Sequence, residues 1–287
     1  MIFVKMAKFK SLRETDSGQR RIARSVILAH KVPKTIHKFL VLVEGIDDLP
    51  IYYKFFNIDV VDIKDCNGCE HVNTVHETIK NETNFKFLSI LDSDFKRLDG
   101  IEPFDTNVFY TDYHDSELML TEYNQVWKKV LNSVSPSTAY VDFRKQAKAE
   151  LYNVSFIKWF NMHRKLSFVF EGLDILNLCP GKAISEAMAL QYFKPSKNGM
   201  HTFPNNSFKA FKEEHTKPDI DQLTNGHDLI TRIASIFRHR LKKQISDKDL
   251  RDCFCLNFTE EEAKRTALYR SLQSWCKVNK IEILVRT

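Results

Sequence analysis

Four short apolar runs separated by helical patterns restrict this chain more than any other feature. "KFLVLV" (38–43), "IDVVDIK" (58–64), "FKFLSIL" (85–91) and "NVFYT" (107–111) are of strand length, and the first lacks the polar alternation of a half-exposed strand. A strand that is apolar on both sides must be covered on both faces, which is the situation of a parallel sheet between helices. The intervening segments supply the cover. "DLPIYYKFFN" places Leu49, Tyr52, Tyr53 and Phe56 on one helical face, with Asp48 at the cap position and Pro50 in the first turn. "EHVNTVHETIKN" (70–81) has the spacing of a second helix. The order βαβαβ-β predicts an α/β fold with a parallel sheet flanked by helices.

Beyond about residue 112 the pattern turns helical. "SELMLTEYNQVWKKVLNSV", "FRKQAKAELYNVSFIKWFNMHRKL", "GKAISEAMALQYF", "HDLITRIASIFRHRLKKQ" and "TEEEAKRTALYRSLQSWCKVN" all carry helical spacing. The expected organisation is a basic N-terminal extension (1–35), an α/β core (36–120) and a helical elaboration (121–287) that completes the fold and carries an oligomer or partner interface. With 287 residues, 43% of them hydrophobic, the chain can fill a sizeable core. Its longest apolar runs are far shorter than the roughly 20 residues needed to cross a bilayer. The N-terminus mixes its apolar residues with lysines and has no secretory pattern. The expectation is a cytoplasmic protein whose six cysteines are reduced thiols.

The net charge of +6 is unevenly spread. Residues 1–40 hold ten Lys or Arg, including Lys5, Lys8, Lys10 and Arg13, against two acids. A basic arm beside a nearly neutral body suits phosphate backbones and suits an acidic protein partner equally well.

Acids follow three of the apolar runs. The first ends in Glu44 and Gly45, then Asp47 and Asp48; the third in Asp92 and Asp94; the fourth in Asp112, His114, Asp115 and Glu117. Ligands of open parallel sheets bind outside the carboxyl ends of the strands. Extended backbone would point Asp92 and Asp94 to the same side. Carboxylates gathered at one rim repel each other unless a cation stands between them or their pKa values rise. Hard oxygen donors without Cys or His in the turns after the first and third runs favour magnesium or manganese over zinc. The competing reading is helix capping, which stays open for Asp48 and Asp115.

Other constellations point elsewhere. Cys66, Cys69 and His71, with Cys253 and Cys255, have part of the spacing of a zinc site, although Cys-x-Cys is a poor second half. No Gly-x-x-x-x-Gly-Lys-Ser/Thr loop is present, so ATP, if it matters, is bound by a partner. Phe156, Trp159 and Phe160 at helical spacing fit a core or an oligomer interface better than a base-stacking platform.

Glu-Gly-x-x-Asp after one strand and Asp-x-Asp after a later one, with a helix, a strand and a helix between, resembles the Toprim domain of topoisomerases, primases and OLD-type nucleases. The resemblance covers about residues 36–120, with Glu44, Gly45, Asp48, Asp92 and Asp94 at the motif positions. "CNGCEHVNTV", "YHDSELML" and "NGHDLITRIASIF" are similar to segments of small OLD-related Toprim proteins, in particular the AriB-type effectors of PARIS anti-phage defence. This resemblance implies a magnesium- or manganese-dependent nuclease that cuts RNA (tRNA in the PARIS case) or DNA. It further implies a homodimer and an ABC-type ATPase companion.

In that scheme Glu44, Asp92 and Asp94 hold the metal, Asp48 orients a ligand or a metal-bound water, and Glu117 or Asp115 holds a second ion. The chain departs from the OLD pattern at His227, where several members have lysine, so His227 and Lys182 compete for the cationic role. Two other classes remain open. A haloacid-dehalogenase-like phosphatase also begins with Asp-x-Asp, but usually continues with Thr where this chain has Lys96. A non-catalytic Toprim-like binding protein is the third.

Overall fold

The computed structural model describes residues 16–136, 142–196 and 202–285. Lys5, Lys8, Lys10 and Arg13 of the basic extension lie outside the described residues, as does the side chain of Cys69. The strands are β1 (Phe39–Val43), β2 (Val61–Asp65), β3 (Phe87–Leu91), β4 (Val108–Tyr110), β5 (Phe168–Phe170) and β6 (Phe193–Pro195). The first helices are α1 (Asp16–His30), α2 (Leu49–Tyr52), α3 (Cys69–Glu82), α4 (Ser116–Thr121), α5 (Asn124–Val134) and α6 (Arg144–His163). There follow α7 (Glu186–Gln191), α8 (Asn205–Glu214), α9 (Ile220–Leu223), α10 (Gly226–Arg240), α11 (Asp247–Asn257), α12 (Glu260–Lys264) and α13 (Ala267–Asn279).

The chain divides into two compact units. The first comprises residues 1–91, 104–110 and 268–287, the second residues 92–103 and 111–267. The first therefore takes in the C-terminal helix α13, which its sequence groups with the helical half.

The first unit is an α/β layer structure. Its four-stranded sheet has the order β2-β1-β3-β4, and every pairing is parallel. Every residue of β1 and β3 is buried, as the absence of polar alternation predicted. On one face Leu40, Leu42, Phe87 and Leu91 pack with Ala23, Val26 and Ile27 of α1 and Val72, Val75 and Ile79 of α3. On the other, Trp275 of α13 meets Phe39 and Phe109 edge-on. The α1 helix is basic on its outer surface yet apolar towards the sheet, so much of the predicted extension is a covering layer. The segment after β1 is less helical than its periodicity suggests. A 3-10 turn (Ile46–Asp48) leads into four residues of α2, and Tyr53, expected on the packed face, is 47% exposed while Ile51 and Phe55 are buried. With only one α-helical turn, the 3.6-residue repeat has no length over which to select a face.

The second unit is mostly helical, with the β5–β6 antiparallel pair as its sheet. Phe156, Trp159 and Phe160 are buried, as expected of core residues. They interlock with Phe208 and Phe211 of α8. Two predicted long helices are broken. Glu122 and Tyr123 separate α4 from α5, and Arg265 and Thr266 separate α12 from α13. Among the described residues no helix is long and apolar enough to cross a membrane.

Candidate functional site

The first unit sets the strand ends. The order β1-β3-β4 makes the three acid-bearing segments follow the carboxyl ends of neighbouring strands: Glu44 comes after Val43, Asp92 after Leu91, and Thr111–Asp112 after Tyr110. Glu44 is half-buried, and its carbonyl accepts the amide of Gly68 at 2.7 Å. Gly68 itself has φ +119°, a backbone state that glycine adopts without strain. Burial, with the nearby Asp65 and Glu44 carboxylates, pushes the Cys66 thiol up, so this buried cysteine stays protonated and unreactive. Asp48 is 7% exposed, and its carboxylate accepts the amide of Gly45 at 2.9 Å. It makes no side-chain capping bond to α2; its charge is turned back onto the Glu44–Gly45 peptide instead.

In the second unit the chain leaves β3 at once. Asp94 has φ +46°, so the backbone is not extended through Asp92–Asp94 as expected: the strand ends at Leu91 and a left-handed residue turns the chain. A non-glycine residue there is uncommon, and Asp tolerates it better than most. The turn is held from several directions. Asp94 donates its amide to the His114 carbonyl at 2.6 Å, Ser93 donates its amide to Thr111 Oγ1 at 2.9 Å, and Asp92 Oδ1 accepts the amide of Ser116 at 3.1 Å. Lys96 Nζ donates to Asp94 Oδ2 at 2.6 Å and to the Asp92 carbonyl at 2.9 Å.

Asp115 caps α4. One of its oxygens accepts the amide of Leu118 at 2.8 Å and the other that of Gly226 at 2.7 Å. Of its two open readings, this geometry uses capping. Burial, then the Glu117 and Asp94 carboxylates, push its pKa well up against the pull of the two amides. The Asp115 contact brings α10 close to α4. A Cβ on Gly226 would lie 2.2 Å from Asp115 Oδ1 and 2.4 Å from the Leu118 nitrogen, so only glycine fits. Glu117, the candidate second-ion ligand, is paired with Arg251 Nε at 3.0 Å and accepts from Ser116 Oγ at 3.2 Å. The buried His114 donates Nδ1–H to the Gln222 carbonyl at 3.0 Å, and burial lowers its pKa.

The two cationic candidates are differently placed. His227 is exposed in the first turn of α10, next to Gly226 and therefore beside the Asp115 cap. Lys182 is exposed in a turn anchored further along that helix: Gly181 donates its amide to Glu150, and Glu150 pairs with Arg232. Arg232 lies six residues after Gly226, roughly 9 Å along the axis.

Sequence reasoning missed Lys96, Lys158, Gln222 and Arg251 as members of this region. Lys158 pairs with Asp228 at 2.5 Å and lies over the Phe170 ring. Only Lys96 carried a local signal, being two residues from Asp94.

Among the described residues no group of three or more His, Cys, Asp or Glu side chains stands ready to hold a metal ion, zinc included. The five cysteines whose side chains are described are free thiols. The turn at Asp92–Lys96 nevertheless has the chemistry of a cation site, since hard oxygens of Asp92 and Asp94 already hold an ammonium ion. Nearby, burial and then the Glu122, Asp112 and Asp221 carboxylates push the Tyr113 phenol up to about 12. No protein-family model and no curated protein sequence matches the chain.

Proposed function

We propose that this chain is a divalent-metal-dependent nuclease of the Toprim type that hydrolyses phosphodiester bonds, with RNA, including tRNA, as its first candidate substrate. The observation carrying this reading is that Glu44 and the Asp92–Asp94 pair follow adjacent parallel strands. Glu44, Asp92 and Asp94 are the residues to hold magnesium or manganese. The bound ion polarises a phosphoryl oxygen and lowers the pKa of a water. Asp48 keeps the Glu44–Gly45 peptide in place through the Gly45 amide. His227 or Lys182 neutralises the charge developing on the leaving oxygen. Glu117 or Asp115 is the residue to hold a second ion, Glu117 being paired with Arg251 in the metal-free chain.

In a cell this activity suits a toxic effector of anti-phage defence, acting as a homodimer with an ABC-type ATPase as the nucleotide-binding companion, in the cytoplasm. The test is expression of the wild type beside Glu44→Ala and Asp92→Ala, with sequencing of cellular RNA and DNA ends. The expected result is new RNA ends with the wild type, reduced at least about a hundredfold in both variants. Identical ends in all three would contradict the proposal. Ends confined to DNA would redirect the substrate, and loss of phosphomonoesters without new ends would favour a phosphatase.

A further inference from the structure

We infer that Lys96 is a built-in competitor for the metal of the proposed site: its ammonium occupies the Asp92–Asp94 turn, and a divalent cation binds only by displacing it. The inference rests on the metal-dependent reading above and concerns residues of one unit alone. Lys96 Nζ lies 2.6 Å from Asp94 Oδ2 and 2.9 Å from the Asp92 carbonyl oxygen. Its side chain is 14% exposed and that of Asp94 31%, so the pair is shielded more than a surface ion pair but is still reached by water. A charge-assisted contact of this length satisfies the carboxylate oxygen that a metal would need.

The position of the lysine is fixed by the backbone. The Lys96 amide donates to the Ser93 carbonyl at 2.9 Å, and the Ile101 amide closes onto the Lys96 carbonyl at 2.8 Å. With Asp94 at φ +46° the chain doubles back, and the Lys96 side chain, two residues later, lies on the Asp94 carboxylate. The strained residue and the lysine form one device, in which the turn that exposes Asp94 also delivers the cation that neutralises it.

Two consequences follow. In the metal-free chain the ammonium neutralises the Asp94 carboxylate until a metal arrives. Once displaced, the same ammonium remains on the turn, adding a third cation to His227 and Lys182 as a partner for phosphate.

Manganese titration by calorimetry, run on the full chain, tests this with Lys96→Met, Lys96→Arg and Asp94→Asn beside the wild type. Lys96→Met should bind manganese at least about tenfold more tightly, because one positive charge no longer competes for the carboxylate. Lys96→Arg, which keeps the charge, should stay near wild type, and Asp94→Asn should bind at least about tenfold more weakly. If Lys96 merely braces the turn, Lys96→Met will bind manganese no better or worse than wild type, and that result overturns the inference while leaving the metal-dependent reading intact. No binding by any variant, with circular dichroism showing folded protein, overturns both. Should Lys96→Met fail to fold, Lys96→Gln carries the same expectation.

Discussion

The sheet unit and the helical unit both bury polar pairs, His30 with Asp62 in the first, but their main elements depend on them to different degrees. In the first, the central strands β1 and β3 are buried along their whole length, with Ser89 their one polar residue; it is matched to His76 Nδ1 at 2.8 Å. In the second, charge itself is buried. Arg232 is 1% exposed against Glu150, and Lys148, 6% exposed, bridges Glu122 and Asp221. An apolar strand can be replaced by another of similar volume, whereas a buried ion is tolerated only with its partner in place. The candidate acids straddle this difference. Glu44 follows a strand end of the first unit, while Asp92, Asp94, Asp115 and Glu117 belong to the second, where each is tied to a lysine, an arginine or a backbone amide.

The largest expected effect is in the helical unit. Arg232→Met leaves Glu150 buried without its charge partner, and removes one donor from each of the Leu178 and Cys179 carbonyls, Leu178 keeping the Ser235 hydroxyl. It should cost about 3–5 kcal/mol in denaturant unfolding; a loss below about 1 kcal/mol would remove the contrast between the units. Next comes Gly226→Ala, where the methyl group has to force α10 away from Asp115. We expect about 1–3 kcal/mol of destabilisation by thermal melting, and an unchanged melt would mean that the close approach of α4 and α10 is not needed.

Acid sensitivity sharpens the comparison from the sheet side. Burial lowers the pKa of His76, so between about pH 6.5, where an unfolded histidine takes up its proton, and the lower folded value, only the unfolded chain is protonated. The contribution of this group is therefore complete above about pH 6.5 and is lost as the pH falls. His76→Leu should flatten that part of the stability profile, and an unaltered slope in the variant would contradict the assignment. The smallest effect belongs to Arg251→Ala. Its pair with Glu117 is partly buried, with side chains 14% and 18% exposed, and its removal should cost about 1 kcal/mol.

The same contrast explains what could be read from the residues alone. The strands, their parallel order and the helix over 69–82 follow from local composition, because a doubly buried strand must be apolar throughout. The positions of Glu44 and Asp92 at strand ends followed with them. Capping by Asp115 was one of two open readings, and the choice depended on Gly226, 111 residues away. The pairing of Glu117 with Arg251 spans 134 residues and that of Lys148 with Asp221 spans 73. No periodicity encodes such contacts. Asp94 was misjudged for a local reason: alternation along a strand says nothing about where the strand stops, and its positive φ depends on the His114 carbonyl and the Lys96 ammonium that hold it.

The central claim is that acids following neighbouring strands act on a single divalent cation. Manganese electron paramagnetic resonance on the purified full chain tests it most directly, by counting bound ions in the wild type, Glu44→Gln and Asp92→Asn. One ion per chain in the wild type, with affinity at least about tenfold lower in each variant, is the result expected of shared oxygen ligands. Binding unaffected by Glu44→Gln would contradict the claim, since the ion would then belong to the Asp92–Asp94 turn alone.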